Sequence, residues 1–446
     1  MSIKKSIYQE LFIESNDQSR TIDLTTGTIA FEYYEDIFSP TITAKLRVVN
    51  TGNTVLPADD KSADKQSIYN GLPLRGGERL AVKIAGNSST NPGLDFSKRQ
   101  TDYFYVSSIT DIISETQRES FTLHLTSREA LTNETVRVMR KYPTSLRISD
   151  SVKKILKEVL KTNKFSEENI ETTTNKYGFI GNMRKPFTVL VWLASKSVPM
   201  KSENSSAGFL FFQTKDGFHF RSIDGLIKEK PKAVYTYSEA NVSYDGEDAK
   251  LNNDFKILNY IVDRNQNLIE KLRLGTYGSQ RMFFNPLDFK FTSDKKGLFN
   301  SKNYVNKSDN LGGKLKLPKI SNSSNVTLGD IPTRIITQIL DVGTMEPNVS
   351  KETNSDPEKY QSQSLTRYNT LFTQTLSVVV PSNTNLRAGD IIECQFPKVS
   401  QSKAKEYDTE TSGLYMIKEL CHHFDVSNSY TSMKLIKDTF GINKND

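Results

Sequence analysis

The chain is poor in the residues on which most protein chemistry depends. It holds two Cys, four His and one Trp among 446 residues. Cys394 and Cys421, far apart in sequence, build no disulfide framework and fit a reducing compartment, with a single bridge between them left open at this point. Long apolar runs are also missing. The longest, FTVLVWLA at Phe187–Ala194, is less than half of the ~20 residues a membrane-spanning helix needs. No apolar segment follows the basic start MSIKKSIYQELFIESNDQS, so no signal peptide is expected, and folding in a cytoplasm is. Phosphate-cradling loops are absent too. Neither GxGxxG nor GxSxG occurs, and LGGKLKL fails as a P-loop. Position 308, where the first Gly is required, is Ser, and the residue after Lys314 is Leu.

What is present is charge and β-patterning. Charged residues make up 25% and hydrophobic ones 36%, a globular and rather polar composition, and the length suits about two to four domains. Of the net charge of +7, residues 281–320 hold nine basic against three acidic residues, +6. Such a segment is a solvated loop, a face for an acidic partner, or a nucleic-acid contact. It lacks the interleaved aromatics of the last.

Short β-branched and aromatic runs fill the first 127 residues: GTIAFEYYEDIF, TITAKLRVVNTG, ERLAVKIAG, TDYFYVSSITDI and ESFTLHLTS. In the last of these Phe121, Leu123 and Leu125 share one face and His124 lies on the other. The period then changes. Val152, Ile155, Leu156, Val159 and Leu160 trace a helix with Ser149 or Asp150 as N-cap, and Pro186 opens a second helix that packs Trp192 in its core. Lys215-Asp216-Gly217 marks a hairpin. The stretch DIPTRIITQILDVG is expected to be a helix, through Ile335, Ile336, Ile339 and Leu340. Ser350–Ser364, almost without apolar residues, is expected to be a mobile connection. Strands return in QTLSVVVP, RAGDIIECQFP, GLYMIKELCHHFDV and YTSMKLIKDTFG.

Groups that resemble reactive sites read as structure. Glu35 and Asp36 are adjacent, so on a strand they face opposite ways and cannot flank one bond; a strand-end turn is expected. In Leu420-Cys421-His422-His423-Phe424-Asp425, alternation puts Tyr415, Ile417, Glu419, Cys421, His423 and Asp425 on one face. Leu420, His422 and Phe424 take the other, so the two His point apart. Cys394, Cys421 and His423 are the residues that could share a metal, short of the four ligands of structural zinc. No metal and no cofactor is expected, and neither is an enzyme.

Taken in order, these blocks resemble the baseplate central hub proteins of T-even-type contractile-tailed phages, a family related to the hub part of type VI secretion spikes. The blocks are FEYYEDIFSPTITAKLRVVNTG, GLPLRGGERLAVKI, YFYVSSITDIISETQRESFTLHLTSREALTNETVRV, KPFTVLVWLASKSVP with AGFLFFQTKDGFHFRSIDGL, and the C-terminal LRAGDIIECQFP with SGLYMIKELCHHFDVSNSYTSMKLIKDTFG. The resemblance implies an α+β, β-rich fold with two tail-tube-like antiparallel β-barrel domains, the second split by an insertion, plus a mixed helical/β domain. The units would be 1–127 (first barrel), 128–205 (helical insertion), 206–240 (start of the second barrel), 241–334 (mixed, with the basic segment) and 335–446 (helix and rest of the second barrel). It implies a homotrimer that adapts a hexameric tail tube to a trimeric central spike and initiates tail assembly. The implied partners are the spike, the tube or its initiator, the tape-measure protein and the baseplate wedge. No membrane span and no specific nucleic-acid binding are expected, although genome DNA could pass through the ring. The place implied is the virion tail, assembled in the infected cell's cytoplasm. Tyr33, Tyr34, Glu35, Asp36, Gly76, Gly77, Glu78, Asp216 and Gly217 are then structural motifs, with Gly76-Gly77 a tight turn. A secretion-system or pyocin-like hub is the alternative. Those spikes carry hub and spike in one chain, and no spike-like segment is seen after Phe440.

Overall fold

A computed structural model of the chain describes residues 4–442, apart from 53, 56–64, 99–101, 201–205, 238–252, 266, 293–296, 302–309, 314, 321–324, 343–353, 355–356 and 399–406. Much of the basic segment, including Lys295, Lys296, Lys302, Lys307 and Lys314, lies outside the described residues. The fold is α+β with strand predominating.

Eight strands open the chain: β1 (Tyr8–Glu14), β2 (Thr21–Asp23), β3 (Thr28–Asp36), β4 (Thr43–Thr51), β5 (Arg79–Ala85), β6 (Gly93–Asp95), β7 (Phe104–Ser114) and β8 (Arg118–Thr126). Seven of them run in the spatial order β3-β4-β8-β7-β5-β1-β2, and β6 pairs with β5. Their alternate residues, among them Phe31, Leu46, Val48, Leu80, Val82, Phe121, Leu123 and Leu125, form the first core. The period-2 pattern thus does what it requires: one face is removed from water and the other stays wet.

A helical layer follows. The helix Ile148–Lys154 continues into a wider π turn, Ile155–Val159, closed by Leu160 N–H on Ile155 C=O at 3.0 Å. The apolar stripe is buried as expected, but the cap differs: Arg147 occupies the N-cap position and its side chain makes no capping hydrogen bond. Ser149 is instead buried, its backbone N–H donating to Thr173 Oγ1. Pro186 sits in the first turn of helix Pro186–Lys196. Trp192 stands at the rim of this core rather than within it, edge-on to Tyr177 and Phe179. A two-stranded sheet pairs β9 (Lys141–Tyr142), which precedes the first of these helices, with β10 (Phe179–Ile180), which lies between the two in sequence.

The hairpin β11 (Phe209–Thr214) and β12 (Gly217–Ser222) is a separate two-stranded sheet. Every residue of β11 is buried. Phe209 and Phe211 pack into the helical core, whereas Leu210 and Phe212 pack with Ile37, Ile391 and Met416 of the large sheet. Burial on both faces is why this strand reads as an unbroken apolar run rather than an alternating one.

The second part of the large sheet is drawn from three stretches. They are β13 (Val234–Tyr237), β14 (Lys256–Ile257) and β15 (Asn259–Asn265), then, after an excursion, β20 (Gln374–Pro381), β21 (Ile391–Gln395), β22 (Gly413–Asp425) and β23 (Ser429–Lys437). The excursion makes a four-stranded sheet of β16 (Gly278–Asn285), β17 (Lys290–Phe291), β18 (Leu298–Asn300) and β19 (Arg334–Ile339).

Two expectations fail here. The expected helix at DIPTRIITQILDVG is strand β19, parallel to β16 from Ser279/Arg334 to Phe284/Ile339. Its Ile-rich run fits either period, and the waiting partner strand decides in favour of β. Of the expected mobile connection at 350–364, residues 350–353 and 355–356 lie outside the described residues, and from Pro357 on it is instead the helix Pro357–Thr370. Its inward face is made of Ser362, Ser364, Thr366, Arg367 and Thr370. Small hydroxyls let it lie close to helix Pro186–Lys196 and to β16, with Ser364 Oγ donating to Ser195 C=O at 2.9 Å. Arg367, 2% exposed, pairs with Asp224 at 2.5 Å and Asp438 at 2.9 Å. It thereby ties this helix to the hairpin's following turn and to the end of β23.

Removing the cation while leaving both buried carboxylates is the costly change. Arg367→Met should lose about 3–5 kcal/mol of stability. Chemical denaturation of the full chain measures it, and adding Asp224→Leu and Asp438→Leu should recover part of the loss.

Candidate functional site

The two halves of the large sheet meet on one strand. Along one edge, β22 pairs first with β21 (Gly413–Met416 with Ile391–Cys394) and then with β3 (Glu419–Asp425 with Ala30–Asp36). Its other edge pairs with β23. A bulge lies between Ile417 and Glu419, where two steps on β22 meet one on β23. This corrects the strict alternation expected from the sequence. Tyr415, Ile417 and Leu420 all enter the second core, with Tyr235, Val378 and Leu435. Beyond the bulge, Phe424 enters the first core. One strand thus supplies both cores, because the extra residue keeps Leu420 and Phe424 on the side that Tyr415 and Ile417 face.

Glu35 marks this junction from the β3 side, opposite Leu420. It is 1% exposed and accepts hydrogen bonds from Tyr33 Oη (2.7 Å), Lys215 N (2.8 Å) and Ala388 N (2.9 Å). Three remote segments therefore converge on one carboxylate: β3, the β11–β12 turn and the approach to β21. Burial pushes its carboxyl above the ordinary range, against the pull of nearby Arg387 and of the three donors. Arg387 donates to Asp216 Oδ2 at 2.9 Å and to the carbonyls of Thr384 and Leu386. Asp36 faces the other way, held by Lys418 Nζ at 2.9 Å, and its Oδ1 accepts from Phe38 N to start the turn after β3.

The remaining motif residues complete turns. Gly76 and Gly77 both have φ above +90°, and the buried Glu78 carboxylate accepts from Arg75 N, Gly76 N and Asn16 Nδ2. Gly217 has φ +115°, and a Cβ there would meet Lys164 O at 2.3 Å, so only glycine fits.

The two His of the CHHFD stretch do point apart. His422 is fully buried, stacked on Tyr33 at 6.1 Å, with Nδ1 3.0 Å from Thr431 Oγ1. Burial lowers its pKa to about 3. His423, on the outer face, lies 3.1 Å from Glu32, 3.5 Å from Asp425 and against the Tyr430 ring. Cys421 lies beside Tyr34 and Ser432, and burial pushes its thiol up to about 12. Tyr34, Cys421, His423, Tyr430 and Lys434 line a shallow concavity of about 300 Å³. Cys394 pairs with Gly413, eight positions along β22 from Cys421. At about 3.3 Å per residue that is roughly 25 Å, so Cys394, Cys421 and His423 do not converge. Both cysteines are free thiols. Among the described residues no group of three or more His, Cys, Asp or Glu could hold a metal, and no helix is long and apolar enough to cross a membrane. The site is suited to holding segments together: its carboxylates are engaged by donors and its thiols are kept protonated.

Sequence reasoning missed Arg387, Arg367, Asp224 and Asp438. Their partners lie far along the chain, and no local pattern announces them.

No family profile matches the chain, and no curated protein sequence does. Solved structures match its fold. A tail protein from Neisseria meningitidis MC58 superposes with a TM-score of 0.50, over 97% of this chain and 97% of its own, at 9% identity. The 43 kDa tail protein of prophage MuSo2 from Shewanella oneidensis gives a TM-score of 0.50, over 96% of this chain and 98% of its own, at 6% identity. The likeness at these identities is one of fold, spread over nearly the whole chain.

Glu35→Ala should leave the N–H groups of Lys215 and Ala388 buried without an acceptor, at about 1–3 kcal/mol each. Chemical denaturation should show the full loss for Ala and a smaller one for Glu35→Gln, which keeps an acceptor oxygen. His422 sets a pH dependence. The unfolded chain takes up this proton near pH 6.5, the folded chain only near 3, so stability falls as pH drops through that window. Asp390 works in the opposite sense, since burial raises its carboxyl from 3.8 to about 6 and its contribution falls as pH rises between those values. Melting temperatures recorded between pH 7 and 4 should therefore fall less steeply for His422→Gln than for the wild type.

Proposed function

We propose that the chain is a structural protein of a phage-type contractile tail, the central hub of its baseplate, and that it assembles as a homotrimer. The observation that carries this proposal is the fold shared with two tail proteins over nearly the full length of both chains. The junction at β22 supports it physically. Two sheet lobes joined edge to edge by one strand form a rigid double unit, so three chains offer six lobes. Such a ring matches a sixfold tube on one side and a threefold spike on the other. Residues 1–127 would form the first tube-like barrel. Of the ranges 206–240 and 335–446, β13 and β20–β23 would form the second, completed by β14 and β15 from within 241–334, with the β11–β12 hairpin packed against it, and 128–205 would lie outside the ring. The role is architectural, without catalysis. Its partners are the spike, the tube or its initiator, the tape-measure protein and the wedge, in the virion tail assembled within the infected cell.

Light scattering should give about three times the 50.5 kDa chain mass, and electron microscopy a ring of pseudo-sixfold outline. A strict monomer at high concentration, with the cognate spike also present, would overturn the hub assignment.

A further inference from the structure

The four-stranded sheet of β16–β19 has two unlike faces. On the inner one Ser279, Arg281 and Phe283 are buried, and Arg281 Nε donates to Ser362 Oγ of the helix Pro357–Thr370 at 2.9 Å. The alternate residues Gln280, Met282 and Phe284 point outward. Register extends that outward row across the sheet. Phe284 stands opposite Phe291 of β17 and Ile339 of β19, and Gln280 stands opposite Leu298 of β18 and Ile335 of β19. Cross-strand neighbours share a face. These side chains are open to water: Ile339 is 73% exposed, Phe291 and Ile335 61%, and Leu298 53%. Phe289, 78% exposed in the turn between β16 and β17, leans edge-on against Phe284. Single exposed apolar residues need no explanation, but a contiguous row of them marks a contact surface.

Two further features say what kind of partner fits. The first is charge. The charged residues on these four strands are Arg281, Lys290 and Arg334, all basic. Arg281 is turned inward; Lys290, opposite Asn285, and Arg334, opposite Ser279, share its side of the sheet but are exposed at the rim, so the apolar row itself carries no charge. Lys290 and Arg334 lie in or beside the segment that holds most of the chain's net charge. An acidic segment laid along the β19 edge would be attracted to Arg334. The second is the edge. Among the described residues β19 pairs with β16 alone, so its outer edge leaves backbone N–H and C=O groups for an added strand. Arg334 shares the inner face with Ser279, while Ile335 and Ile339 share the outer one. A strand laid along this edge would put alternate side chains beside the apolar row and the others toward Arg334.

We propose that β19 docks an extended segment of a different protein in which apolar and acidic residues alternate. This proposal stands independently of the hub assignment. The test titrates fluorescently labelled strand peptides against the full chain. One peptide alternates Ile or Val with Glu, and its control carries Lys in place of Glu. The acidic peptide should bind about tenfold or more tightly than the control, a gap of about 1.4 kcal/mol. It should weaken as salt rises, and lose about tenfold in affinity with Ile339→Glu. Arg334→Glu, an exposed change that leaves the apolar row intact, should erase the preference for the acidic peptide. Equal binding of both peptides, or binding of neither, overturns the proposal. So does association of the chain with phosphatidylglycerol vesicles that Ile339→Glu abolishes, since a lipid surface would then be the occupant. Self-association of the chain alone, lost in Ile339→Glu by sedimentation, overturns it in favour of a second copy.

Discussion

A strand has two edges, and β22 uses one of them twice. Its first residues pair with β21 and its last with β3, with β23 running along the opposite edge. The rest of the large sheet follows from that arrangement. Strands separated by almost the whole chain become neighbours, and two apolar cores are bound to one backbone. The bulge after Ile417 is the physical condition for it. Without the extra residue, a strand facing the second core through Tyr415 and Ile417 would turn Leu420 and Phe424 to water.

Buried polar groups sit where segments from distant parts of the chain converge. Glu35 gathers β3, the β11–β12 turn and the approach to β21. Arg367 gathers the helix Pro357–Thr370, Asp224 and Asp438. Apolar contacts alone tolerate sliding, since any methyl group packs against any other. Hydrogen bonds and ion pairs do not, because a displaced partner leaves a buried charge or donor unpaired. These sites therefore contribute mainly to register.

Much of the strand content was legible from period and residue type. The alternation in β3, β4, β8 and β20–β23 located those strands, and Pro186 and Gly217 located a helix start and a hairpin. The separation of His422 from His423 was likewise legible, since it needs only a strand. Other elements were not. Ile335, Ile336 and Ile339 satisfy a helical spacing as well as an extended one, and the partner that settles the matter lies about fifty residues earlier. The helix Pro357–Thr370 has almost no apolar stripe. It is held by hydroxyls and by Arg367, whose partners are remote in sequence, and a composition that cannot form a conventional core was misleading there.

By itself the sequence determined the local periods, the turns that require glycine, the uneven charge and the scarcity of metal-ligating and nucleophilic groups. Those features depend on neighbours a few residues apart, and they survive in any fold the chain could take. The tertiary structure alone decided which strands share an edge, where the bulge reverses a face, and which carboxylates are buried against which cations. Each of those depends on residues up to several hundred positions apart meeting in space. The free energy that fixes them is that of burial and pairing, which exists only once the chain has folded.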